Sequence, residues 1–439
     1  MSLHLGIDVG TSGVRTAVIT PDGAIVSMAR APHLAQDPER IDARRWWEAV
    51  VACLGQQVAC LAEAGHDPSA IGAIAVDATS GSMVLTDAAC QPVSRALMYN
   101  SAGFEAEAAR IAEHAPDPHI TRGANSALAR AMRLLAETGA ETGAEAEAGA
   151  KTGAQPMHLM HQADYIAAML TGRGGRSDHN NALKTGYDPE TDDGTGAWPD
   201  WIGAVFPEAL LPQVHAVATP LDRLAPAVAD RFGLSPNAVV HAGTTDSIAA
   251  FFASAPLEPG VAVTSLGSTL AIKLLSARRI DDPAIGLYAH RVGDLWLTGG
   301  ASNTGGAVLA SFFSPEEIAR LSEGIDPAAE TGLDYYPLLR PGERFPINDP
   351  ALPPRLTPRP GDDAAFLQGM FEGIARIEAQ CYREIARRGG SYPSSLFTAG
   401  GGAANAVFTA IRARVLGLSP ATPPHSEAAI GAAMLTLRG

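Results

Sequence analysis

The apolar and polar positions of the chain change period several times. Residues 3–9, 14–20, 24–30 and 71–77 are short apolar runs bounded by turn residues, the pattern of strands with at least one buried face. Between the third and fourth lies 42–60, where Trp46, Trp47, Val50, Val51 and Leu54 recur at helical spacing. Residues 158–170 return to helical periodicity and stop at Thr171-Gly172. Strands interleaved with helices predict an α/β layered fold. A second unit is expected to open near 239–242. It carries a second small-residue hairpin, Val261 to Lys273, that repeats the apolar strand, Gly/Ser/Thr turn and apolar strand of residues 3–18. Two similar halves would place a ligand between them.

At 439 residues the chain has room for two or three cores. The formal net charge of -15 argues against non-specific nucleic-acid binding, which needs a basic surface. No apolar run is long enough to span a membrane, and the start of the chain reads directly as a strand, so a cytoplasmic protein is expected. Cys53, Cys60, Cys90 and Cys381 form no CxxC pair and read as buried thiols, not zinc ligands. Residues 137–154 are a Glu/Thr/Gly/Ala repeat without an apolar anchor and are expected to form a solvent-exposed extension or loop, partly helical at best.

Five segments carry candidate chemistry. In Leu3 to Val18, Asp8 ends a strand beside the Gly10-Thr11-Ser12-Gly13 turn. This is either an ordinary hairpin or a site in which Asp8 holds a divalent cation through water and Thr11 and Ser12 face a phosphate. In Gly243-Thr244-Thr245-Asp246, Asp246 follows a strand. It can be a helix N-cap, a general base toward a substrate hydroxyl, or both. Asp77-Ala78-Thr79-Ser80 groups a carboxylate and hydroxyls suited to a polyol, or forms a self-bonded turn. Gly299 to Gly306, with Gly300 and Thr304, can face a phosphate. Gly400-Gly401-Gly402 follows a strand and leads through Asn405 into a helix, which lets a flat ligand approach the backbone. It lacks the GxGxxG spacing of dinucleotide folds. The polar stretch Ser177 to Asp188 also exceeds what a loop needs, with His179 read as a structural hydrogen-bonding residue.

Taken together, and in their order along the chain, these segments resemble the FGGY carbohydrate kinases of the actin-like ATPase superfamily. GIDVGTSGVRTAV is similar to that family's first phosphate motif, VTSLGSTLAIK to its second, AGGGAANAVFTAIRARVLG to its adenosine motif, and AGTTDSIAA to the segment with its catalytic Asp. LKTGYDP, LTGGASNTGGAVL and GERFPINDP resemble the short D-ribulose and xylulose kinases. The resemblance implies two actin-like (ribonuclease H-like) domains, 1–250 and 251–439, with the active site in the cleft between them. It implies an ATP- and Mg²⁺-dependent kinase, monomeric or homodimeric, acting on a small sugar. The first expectation is D-ribulose, phosphorylated at its 5-hydroxyl, with D-xylulose or a polyol as the alternative. A non-catalytic ATP- or sugar-binding protein and an actin-like ATPase are remote alternatives.

By position, Asp246 would be the catalytic base. Asp8, Asp77, Ser80, Asn100 and Asp246 would contact substrate, and Asp8 and Asp246 the metal. Thr11, Ser12, Gly267, Ser268, Thr269, Gly300, Thr304, Gly401, Gly402 and Asn405 would contact ATP. Where many of these kinases have an acidic residue after Asn100, this chain has Ser101, which bears on the choice of sugar.

Overall fold

The computed structural model describes residues 2–37, 39–142, 155–191 and 195–438. The chain forms two compact units, Met1–Ala253 with Glu427–Gly439, and Ser254–Ser426. The division therefore falls close to residue 250, but the last stretch of chain returns to the first unit.

The first unit is built on a six-stranded sheet. Strands β1 (Leu3–Val9), β2 (Gly13–Ile19) and β3 (Ile25–Pro32) form an antiparallel meander. Strand β4 (Ile71–Ala78) pairs parallel with β1, and the Val239–Thr245 strand pairs parallel with β4. The antiparallel Pro220–Arg223 strand closes the edge. Six of the seven β1 residues are buried, as its near-continuous apolar run requires for a strand covered on both faces. One cover is the Arg44–Glu63 helix, which buries Trp46, Val50, Cys53 and Leu54. Another is the Ala428–Leu435 helix, rich in fully buried alanines. It lies so close to β1 that a Cβ at Gly6 would stand 1.9 Å from the Ala429 carbonyl oxygen. That contact is why the chain's last turns belong to the first unit.

Three expectations change here. Val239–Thr245 is an inner strand of the first sheet and does not open the second unit. The 158–170 segment begins as a strand, His158–His161, paired antiparallel with Met83–Thr86. Its helix starts only at Gln162, where Asp164 accepts from the His161 N–H, and ends at Gly172 with φ 74°. Cross-strand pairing overrides the helical period because Leu159 and Met160 are buried whichever way the backbone runs. The third is the low-complexity stretch. Its first residues continue the Ala127–Thr142 helix, where Glu137 forms a two-pronged ion pair with Arg95 and Thr138 is buried. Residues 143–154 lie outside the described residues.

The second unit repeats the plan. Its strand order is Tyr288–Val292, Leu295–Ser302, Leu270–Ser276, Val261–Leu266, Ser395–Ala399. Val261–Leu266 is antiparallel to the strand after it and parallel to Ser395–Ala399, as β1 is to β2 and β4. The 25-residue Asp363–Arg387 helix fills the core with Phe366, Met370, Phe371, Ile374 and Tyr382. Beside them Arg412 donates twice to Glu378, both distances 2.7 Å and both side chains 0% exposed. All four cysteines are free thiols.

Candidate active site

Three parallel strands of the first unit end together, and each delivers a carboxylate. Asp8 and Asp77 are direct register partners on β1 and β4, and Thr244 on the neighbouring strand is paired with Asp77. Asp246 follows two residues later as the first residue of the Asp246–Ser254 helix. It is half-buried, and its Oδ1 accepts from the Ser247 N–H at 2.6 Å. The helix thus begins at Asp246 itself, with this bond to the next residue, instead of one residue after it as the cap reading expects.

Asp8 is 4% exposed and Asp77 0%. Burial first, then the charges of Asp8 and Asp246, pushes the Asp77 carboxyl well above the usual carboxylate range. As a carboxylate it has no donor partner among the described residues, whereas protonated it donates to Asp8. Asp77 therefore sits behind Asp8, with no surface for a sugar to touch. Burial also raises Asp8, and Arg15 opposes that shift. The Arg15 guanidinium lies 3.3 Å from Asp8 and 3.4 Å from Glu427. Sequence reasoning did not single Arg15 out, although a hairpin turning at Thr11-Ser12 pairs position 15 with position 8.

The turn between β1 and β2 is braced. Gly10 N–H donates to Gly13 O at 3.0 Å, His33 Nε2 lies 2.9 Å from Gly10 O, and His33 N–H donates to Ser12 O. The Thr11 and Ser12 side chains are exposed and make no hydrogen bond among the described residues. The next turn, 79–82, is held by a network in which Thr79 Oγ1 donates to Gln162 Oε1 at 2.6 Å and lies 2.6 Å from Ser82 Oγ. Ser80 is half-buried and Asn100 exposed, and the side chains of both make no hydrogen bond among the described residues. The polar 177–188 stretch is scaffold. Asp178 accepts from the N–H groups of Asn180 and Asn181, and Asn180 Nδ2 donates to Thr244. Burial pushes the Asp178 carboxyl up to about 6.

In the second unit, Gly267, Ser268 and Thr269 form an exposed turn. The Gly267 and Ser268 carbonyls accept from the N–H groups of Gly306 and Ala307, which fixes the base of the turn. Gly300 is paired with Ile272 within the sheet, and the Thr304 carbonyl accepts from the Leu270 N–H, so neither shares the exposed face of this turn. A Cβ at Gly300 would meet the Phe345 ring at 2.7 Å, and Thr304 is 0% exposed. The Gly triplet divides as well. Cβ atoms at Gly400 (φ 91°) and Gly402 would collide with Leu266, at 2.7 and 2.5 Å, while Gly401 faces open space. Gly401, Gly402 and Asn405 line a cavity of about 410 Å³ whose other walls are Leu309, Ile318, Phe371 and Phe408. The last two rings are stacked, with centroids 4.4 Å apart. Asn405 itself caps the Ala406–Leu416 helix and donates to Ser322. An apolar slot ending at a helix N-terminus suits a flat aromatic ligand. A larger polar depression, about 830 Å³ between Arg40, Arg95 and Glu137, contains none of the predicted residues.

The cavity also yields a prediction. Gly401→Leu fills open space with an isobutyl group, so thermal stability should hold while the KM for ATP rises about tenfold or more. Steady-state kinetics beside a melting curve checks this.

Residues 3–253 match the N-terminal domain model of the FGGY family of carbohydrate kinases, and residues 264–439 match the C-terminal domain model. The chain belongs to the FGGY family of carbohydrate kinases. A xylulose kinase from Streptomyces coelicolor is 28% identical over 304 residues, 67% of this chain and 59% of that one. This FGGY chain thus matches about three fifths of the length of that relative. A xylulose kinase from Bacillus subtilis is 23% identical across 100% of this chain and 88% of its own. The crystal structure of xylulose kinase from Rhodospirillum rubrum superposes with a TM-score of 0.81 at 21% identity, covering 99% and 89% of the two chains. The fold is therefore that of the FGGY kinases, with two actin-like halves. Among the described residues no helix is long and apolar enough to cross a membrane.

Proposed function

We propose that this FGGY chain is an ATP-dependent ketopentose kinase. The observation that carries the reading is the convergence of Asp8, Asp77 and Asp246 at the ends of three parallel strands, next to a turn with free hydroxyls. Open α/β sheets bind ligands at that edge. D-xylulose is the better-supported substrate, because the relatives matched carry the name xylulose kinase. D-ribulose, the first expectation from the motifs, becomes the second reading.

In this reading Asp246 accepts the proton of a sugar hydroxyl as that oxygen bonds to the γ-phosphorus. The bond from phosphorus to the β,γ-bridging oxygen breaks, and ADP leaves. Thr11 and Ser12 face the transferred phosphate, and Gly267, Ser268 and Thr269 contact ATP. The apolar cavity at Gly401 takes the adenine. Among the described residues no group of three or more His, Cys, Asp or Glu side chains could hold a metal ion. The two carboxylates Asp8 and Asp246 are what Mg²⁺ needs from a protein, since it binds through one or two carboxylates, waters and substrate phosphates. Asp8 and Asp246 would hold it, and it would neutralise charge on the transferred phosphoryl group.

Coupled ADP release tests the reading, with D-xylulose, D-ribulose, their L-isomers, ribitol and glycerol offered in turn. Release that requires a ketopentose is expected, with D-xylulose giving the highest kcat/KM. ADP release indifferent to sugar would mark an ATPase and sink the proposal.

A further inference from the structure

Arg130 lies on the Ala127–Thr142 helix and is 3% exposed. Among the described residues no carboxylate stands within ion-pair distance of it, and its donors go to backbone carbonyls. Nε donates to Gly81 O at 3.0 Å, and Nη1 to Tyr99 O at 3.0 Å and Asn125 O at 2.9 Å. The three carbonyls belong to three separate turns, at 79–82, 98–101 and 123–126. Two of them adjoin residues assigned above to the sugar: Gly81 follows Ser80, and Tyr99 precedes Asn100. A second tie joins the same two turns, since the Tyr99 N–H donates to Ser82 Oγ at 3.0 Å.

A buried cation without an anionic partner is costly, and burial alone pushes Arg130 down to about 10. An apolar side chain would fill the space at less cost. What it could not supply is a planar fork that bonds three carbonyls at fixed angles. Gly81, with φ 83°, leaves room for that fork, because a Cβ there would stand 2.7 Å from Nη2.

We propose that Arg130 is the positioning residue of the sugar pocket: its guanidinium clasps three turns and thereby sets where Ser80 and Asn100 stand. The inference rests on the ketopentose-kinase reading for its substrate but not for its geometry.

Arg130→Lys keeps the charge and loses the fork. Hydrogen exchange at the three turns should then accelerate while the second unit is unchanged. The KM for the best sugar of the screen should rise about tenfold, the loss of one or two charge-assisted hydrogen bonds. The KM for ATP should stay within about twofold, and the kcat/KM ratio between ketopentoses should change. Ser82→Ala, a milder cut of the companion tie, should move the same sugar KM in the same direction by less. Unchanged exchange at the turns overturns the clasp, whatever the substrate. So does an unmoved sugar KM, or a rise of both KM values together. A wild-type protein that phosphorylates glycerol or ribitol but no ketopentose defeats the substrate reading alone; the KM split on that polyol then decides Arg130.

Discussion

Asp246→Asn should lower the rate of sugar-dependent ADP release by about 10²- to 10⁴-fold, the usual worth of a positioned general base. The affinity for ATP should be nearly unchanged. The substituted amide keeps the shape of the side chain and an oxygen that can still accept from the Ser247 N–H, so the helix start is preserved. What it loses is the ability to take a proton from the sugar hydroxyl. Asp8→Asn makes an informative companion, because Asp8 is paired with Arg15 and backed by Asp77 instead of capping a helix. If Asp8 serves the metal, raising the Mg²⁺ concentration should recover part of its lost rate but none of that lost with Asp246→Asn. Stopped-time ADP assays with a parallel ATP titration decide the matter. A variant at position 246 that keeps near-normal kcat sinks the assignment of the base.

Arg412→Met should have the largest effect on stability, about 3–5 kcal/mol, because it strands Glu378 in the core of the second unit without its cation. The hydroxyl of Thr264 still donates to Glu378, which offsets only part of that cost. The double replacement Glu378→Leu with Arg412→Met removes both charges and should recover most of the loss. Chemical denaturation followed by a signal from the second unit measures this, since two units need not unfold together. Single-variant losses under about 1 kcal/mol would show that the pair is dispensable. The network runs from Thr264, on the strand leading to the Gly267–Thr269 turn, to the Ala406–Leu416 helix that starts at Asn405. Its loss should therefore weaken ATP binding before it unfolds the unit.

Much of the first sheet was legible because its signal is local. β1 is buried on both sides, so its seven residues show as an apolar run, and Gly/Thr/Ser turns mark its ends. The hairpin echo between Leu3–Val18 and Val261–Lys273 also holds, since both halves use the same strand plan. Asp8 and Asp246 were readable as carboxylates at strand ends. The Gly400–Gly402 triplet was readable as special, but its reason was not. Two of the three glycines are there for Leu266, a residue more than 130 positions away in the chain.

From the sequence alone came the family, the α/β class, and the residues able to carry charge or hydroxyls toward a phosphate. Those follow from strand and turn chemistry within a few residues of each other. Only the tertiary structure decided which of them share a site. Parallel pairing puts Asp77 in register with Asp8, and burial then leaves it behind Asp8 without surface for a sugar to touch. The same long-range packing returns Ala428–Leu435 to β1 and gathers three distant turns onto Arg130. Pairing register and burial depend on residues tens to hundreds of positions apart, and no local pattern of apolar and polar positions records them.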